Sequence, residues 1–112
     1  MKLELEDCVA CEGVVPPLLP DEQELFLGMV PAWNVQRNGV DKLERLFTFK
    51  DFVGSMAFVT DVAELSEQLG HHPDIHISNS RVRIELYTHA VLGLTRNDFI
   101  LAAKIDKILD LT

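Results

Sequence analysis

Glu67-Gln68-Leu69-Gly70-His71-His72-Pro73-Asp74-Ile75-His76-Ile77-Ser78 is the stretch where one periodicity gives way to another. Upstream of it, from Asp51 to Leu69, Phe52, Met56, Val59 and Ala63 recur at helical spacing, and Phe58, Val62 and Leu65 widen the stripe. Asp51 suits the N-cap of that helix, and Gly70 suits the left-handed residue just past its end. Pro73 prevents any continuation. Downstream the apolar residues alternate, in Asp74 to Ser78 and again in Arg81 to Thr88. Asn79-Ser80 between the two runs is short enough for a tight hairpin. Val82, Ile84 and Leu86 then share one face of the second strand, and Arg83, Glu85, Tyr87 and His89 the other.

The same order is written earlier in the chain. Asp21-Glu22-Gln23-Glu24 marks a helix start, and Pro31 ends a short helix after Val30. Trp33 and Val35 alternate with polar residues up to Arg37, and Asn38-Gly39 is a strong hairpin signal leading to a partner strand over about Lys42 to Phe49. Thr95-Arg96-Asn97-Asp98 opens a last helix with a capping box, and Leu101, Ala102, Ile105 and Ile108 form its stripe. The predicted order is helix, hairpin, helix, hairpin, helix. That order implies an α+β domain of two layers: a four-stranded antiparallel sheet with helices on one face. Residues 21–112 make this single domain. Residues 1–20, which hold three of the five prolines, read as a leader draped over it.

The composition narrows the function. A chain of 112 residues with 47% hydrophobic and 25% charged residues is that of one globular domain. It has no apolar run long enough to span a membrane and no secretory signal pattern. A net charge of −8 argues against nonspecific nucleic-acid binding, which needs Lys and Arg against phosphates. Cys8 and Cys11 form a lone Cys-x-x-Cys with no second pair, so a structural zinc site is not expected and a reducing, cytoplasmic compartment is.

Candidate chemistry lies at the junction. Three of the four histidines, His71, His72 and His89, flank it, and imidazole is the side chain best suited to move protons near neutral pH. The carbonyl end of the preceding helix favours a protonated imidazole, which suits a general acid. Taken singly, each has a plainer reading: His71 and His72 as caps of the last helical carbonyls, His89 as a strand-end residue. Glu67 stands at i,i+4 from His71, where the two side chains can meet. Asp98 is first of all the acidic member of the Thr95 capping box. His76 alternates between isoleucines and is expected at the surface. A metal site fits poorly, since adjacent side chains usually diverge and no third ligand stands at typical metal spacing.

The run Glu67-x-x-x-His71-His72-Pro73, followed by Leu86-Tyr87-Thr88-His89, Gly93-Leu94-Thr95 with Asp98, and Phe99 to Asp106, resembles the pterin-4a-carbinolamine dehydratases, bacterial members in particular. The likeness extends from about Trp33 to the C-terminus. It implies removal of water from a 4a-hydroxytetrahydropterin by histidine acid–base chemistry. In that reading His71 and His89 are acid and base, and His72 anchors the substrate. Glu67, Asp98, Trp33 and Pro73 support the site. It implies no metal or other cofactor, the pterin being the substrate, and a functional link to an aromatic amino-acid hydroxylase. It also implies a homodimer or homotetramer. Some relatives serve instead as dimerisation cofactors of a transcription factor or as assembly chaperones, so a non-catalytic binding role is the alternative. The family's usual aromatic six residues after the proline is replaced by Asn79. A tight turn there is expected to bring Asn79 near the polar face that carries His89, where it either borders the pocket or simply serves the hairpin turn.

Overall fold

The computed structural model describes residues 3–5 and 16–110. Cys8 and Cys11 lie outside the described residues. Among the described residues three α-helices, α1 (Pro20–Leu27), α2 (Phe52–Leu69) and α3 (Arg96–Asp110), accompany four strands, β1 (Asn34–Gln36), β2 (Lys42–Thr48), β3 (Asp74–Ser78) and β4 (Arg81–Leu86). The strands form one antiparallel sheet in the order β1-β2-β4-β3, so the two hairpins join through β2 and β4. This is the α+β architecture expected from the sequence.

Alternation decides which face the helices cover. Val82, Ile84 and Leu86 of β4 lie opposite Phe47, Arg45 and Leu43 of β2. All of these apolar residues are buried, together with Phe58 and Val62 of α2 and Phe99 to Ala103 and Ile105 of α3. Each fully buried Leu, Ile or Phe contributes about 1.5–3 kcal/mol. Phe26 of α1 packs on Phe99 with ring centroids 5.4 Å apart. Leu3 is part of this core, and the Leu18 N–H donates to the Leu94 carbonyl at 2.7 Å. On the opposite, open face Arg83 reaches Glu44 and Glu85, and the His76 ring meets Glu85 at 3.1 Å.

Three local expectations change. The first hairpin has a five-residue loop, Arg37 to Asp41, in place of a two-residue Asn38-Gly39 turn. Only Gly39 there has positive φ, 89°. The observed register sets Val35 opposite Leu43. A turn at Asn38-Gly39 would slip that register by one residue and take Val35 off the core face. An Arg37–Asp41 ion pair at 3.0 Å spans the loop instead.

The buried side of α2 is also rotated from the predicted stripe. Ser55, Phe58, Val62 and Ser66 are buried, whereas Phe52, Met56 and Ala63 are exposed. The apolar positions of α2 are too widely spread for periodicity alone to choose a side. Small serines let the helix approach its neighbours, and their hydroxyls are satisfied locally: Ser66 donates to the Val62 carbonyl at 2.8 Å.

Asn79 is the third. It occupies the β3–β4 turn at φ 57°, at the end of β4 remote from His89. It does not border the histidines. Its role is conformational, since asparagine tolerates left-handed backbone better than most residues.

Candidate active site

The site begins with the way α2 stops. Asp51 caps its N-terminus by accepting from the Gly54 N–H at 2.8 Å. At the other end Gly70 adopts φ 68°, and the N–H groups of Gly70 and His71 both turn back to the Ser66 carbonyl. This reversal sends consecutive imidazoles in different directions. His71 is 4% exposed, and its Nε2 lies 2.6 Å from Asp98 Oδ1. His72 points to solvent.

Asp98 is fully buried and serves two masters. As the third residue of α3 its Oδ2 accepts the Thr95 N–H at 2.9 Å, completing the capping box read from the sequence. The same oxygen accepts the Thr88 hydroxyl at 2.9 Å, while Oδ1 faces His71. The Thr88 and Thr95 hydroxyls are 2.8 Å apart. A carboxylate bonded to an imidazole in this way fixes ring orientation and places the Nε2 proton on its own side. Nδ1 is then the nitrogen that carries the lone pair when the ring is neutral.

Glu67 does not meet His71 as its i,i+4 spacing suggested. The glycine turn carries His71 inward, and Glu67 Oε2 pairs with His72 Nε2 at 2.6 Å. His89 stands just beyond β4, in a loop pinned by a Thr88–Gly93 bridge. Its ring stacks on Tyr87 with centroids 4.2 Å apart. Leu92 in this loop holds φ 50°, costly for a leucine. Gly70, His71, His72, His89 and Ala90 line one open cleft of about 330 Å³. The three signature histidines therefore converge, with Asp98 behind one and Glu67 beside another. Pro73 is half-buried and leads into β3.

Trp33 is not at this cleft. Its side chain is buried in the core against Phe47, and its N–H donates to Asp106 Oδ1 at 2.9 Å. Arg45 reaches the same oxygen. His76 is exposed on the open sheet face, as expected. Among the described residues no three His, Cys, Asp or Glu side chains are grouped to hold a metal ion.

Thr88 and Thr95 are the residues that sequence reasoning did not assign to the site. The only signal was the capping box, which marked Thr95 as a local cap and gave no sign that Asp98 would also face His71.

The chemistry possible in this cleft is proton exchange. Its imidazoles can donate and accept, and one is oriented by a buried carboxylate.

Comparisons with known proteins identify the family. The family model for pterin 4 alpha carbinolamine dehydratase matches residues 16–108. A relative from Methylococcus capsulatus, carrying the name "Putative pterin-4-alpha-carbinolamine dehydratase", is 42% identical over 95% of this chain and 92% of its own length. A Chlorobium luteolum protein of the same name is 44% identical over 90% of each. Among solved structures, a transcriptional coactivator/pterin dehydratase from Brucella melitensis is 32% identical with a TM-score of 0.77, over 82% of this chain and 97% of that one. A pterin dehydratase-like RuBisCO assembly factor of the alpha-carboxysome is 31% identical with a TM-score of 0.58, over 69% of this chain and 88% of that one. On this match in sequence and fold, the chain belongs to the pterin-4-alpha-carbinolamine dehydratase family.

Proposed function

We propose that the chain is a hydro-lyase that removes water from a 4a-hydroxytetrahydropterin to give the quinonoid dihydropterin. The observation that carries this reading is the convergence of His71, His72 and His89 on one cleft, with His71 gripped by a buried carboxylate. The step balances within the substrate. The C4a–O bond breaks, and the hydroxyl leaves as water with a proton from one imidazole. The N5–H proton passes to a second imidazole, and its electron pair closes the C4a–N5 double bond. His71 and His89 divide the acid and base parts, and His72 anchors the ring. Acid–base transfer of this kind needs no metal or nucleotide. The natural setting is the recycling of a pterin consumed by an aromatic amino-acid hydroxylase.

Assembly of identical subunits belongs to the same reading. Phe52, Val53 and Met56 are exposed on α2, and β3 is an open sheet edge, so both offer surface that a second copy would cover.

A non-catalytic role is favoured by the likeness to two solved structures, the transcriptional coactivator/pterin dehydratase and the carboxysome assembly factor. Retention of all three histidines favours the enzyme. The test is the rate of 4a-hydroxytetrahydropterin dehydration with purified wild type and His71→Ala. Acceleration by wild type and loss in the variant support the enzyme. No acceleration by wild type favours the non-catalytic binding or assembly role.

A further inference from the structure

The carboxylate behind His71 is itself held by the Thr88 hydroxyl, which is backed by the Thr95 hydroxyl, and the direction of those hydrogen bonds is determined. Asp98 Oδ2 lies 2.9 Å from Thr88 Oγ1. An ionised carboxylate only accepts, so Thr88 must spend its single hydroxyl proton there. The 2.8 Å contact between Thr88 and Thr95 then runs the other way, with Thr95 donating to Thr88. Thr95 Oγ1 in turn accepts the Asn97 N–H at 3.3 Å, which ties the far end to the first turn of α3. Thr88, Thr95 and Asp98 are at most 1% exposed. Bulk water is thus excluded from the relay, and each hydroxyl has one place to send its proton.

We propose that Thr88 and Thr95 are positioning residues. Their directed relay, Thr95 to Thr88 to Asp98, locks the Asp98 carboxylate against His71 Nε2 and so fixes which ring nitrogen His71 turns to its reaction. Neither threonine lines the cleft, so both act through Asp98 and His71. The inference rests on the proposed acid–base role of His71 for its kinetic consequence. The relay itself is a statement about hydrogen bonds that does not need that role.

The experiment compares wild type, Thr88→Val, which keeps the shape and removes the proton, and Thr88→Ser, which keeps the proton. The first readout is nuclear magnetic resonance of the full chain with ¹⁵N-labelled histidine. Wild-type His71 should show the Nε2–H tautomer and a far-downfield ring proton, assigned by its loss in His71→Gln. Thr88→Val should shift or broaden that proton and mix the tautomers, and Thr88→Ser should restore both. The second readout is dehydration of 4a-hydroxytetrahydropterin. Thr88→Val should lower kcat by about ten- to a hundredfold, the scale of a misplaced catalytic group, with KM within about twofold of wild type because no substrate contact is lost. An unchanged His71 signal in Thr88→Val, or a Thr88→Ser variant as impaired as Thr88→Val, overturns the relay. Normal resonance behaviour of the series in a protein without dehydratase activity supports the relay and overturns only the functional reading. Should Thr88→Val not fold, wild type decides: a Thr88 hydroxyl proton in slow exchange with water supports the relay, and rapid exchange overturns it.

Discussion

Asp98→Ala separates a helix cap from the centre of a buried network. Three donors converge on this carboxylate: His71 Nε2 at 2.6 Å, and the Thr88 hydroxyl and Thr95 N–H at 2.9 Å. All belong to residues no more than 4% exposed, so water does not readily replace the lost acceptor. A buried donor left unpaired costs about 1–3 kcal/mol, and removing this carboxylate leaves three of them. Loss of a helix cap alone costs about 1 kcal/mol. The expected loss for Asp98→Ala is therefore at least about 3 kcal/mol. That is a large share of the roughly 5–15 kcal/mol available to a domain. Urea unfolding near pH 7, followed by the fluorescence of buried Trp33 and by circular dichroism, gives the value by linear extrapolation. Glu67→Ala is the control. Its pair with His72 has the same 2.6 Å separation, but the two side chains are 77% and 61% exposed. Solvent screening limits it to below about 1 kcal/mol. A loss of about 1 kcal/mol or less in Asp98→Ala, similar to Glu67→Ala, would refute the network and leave only the cap.

Asn79→Tyr should lower the melting temperature and leave pterin affinity unchanged, because a bulky residue at φ 57° costs about 1 kcal/mol and the turn is remote from His89; tighter binding with unchanged stability would restore the pocket-edge view. Trp33→Phe should lower stability through the lost bond to Asp106 while leaving KM near wild type, as measured by denaturation and steady-state kinetics. Dehydratase activity should survive prolonged chelation. Activity lost to a chelator and regained with one added metal would point to ligation by the histidines.

The parts of this fold written in local sequence were legible. The Asp51 cap, the Gly70 stop, the alternation of Val82, Ile84 and Leu86, and the Thr95–Asp98 box each depend on residues within a few positions of one another. What could not be read depends on distant partners. The buried side of α2 is chosen by what packs against Ser55 and Ser66, and the first hairpin's register by the need to bury Val35 beside Leu43. At the site, the three histidines could be picked out by residue type and spacing. The bond between His71 and Asp98, 27 residues apart, could not. Glu67 was the nearer carboxylate along the helix, but a left-handed glycine reverses the chain and gives it His72 instead. Trp33 was read as a supporting residue of the site, yet an indole with an internal acceptor is as well suited to a core, and it lies there.

The central claim, acid–base dehydration by the clustered histidines, is tested most directly by one rate comparison. Wild type and the His71→Ala/His89→Ala double variant are given the same 4a-hydroxytetrahydropterin, with folding checked by circular dichroism. General acid–base groups contribute about 10²–10⁴-fold each. The account predicts clear acceleration by wild type and a double variant reduced nearly to the uncatalysed rate. A folded double variant that turns over like wild type would contradict it.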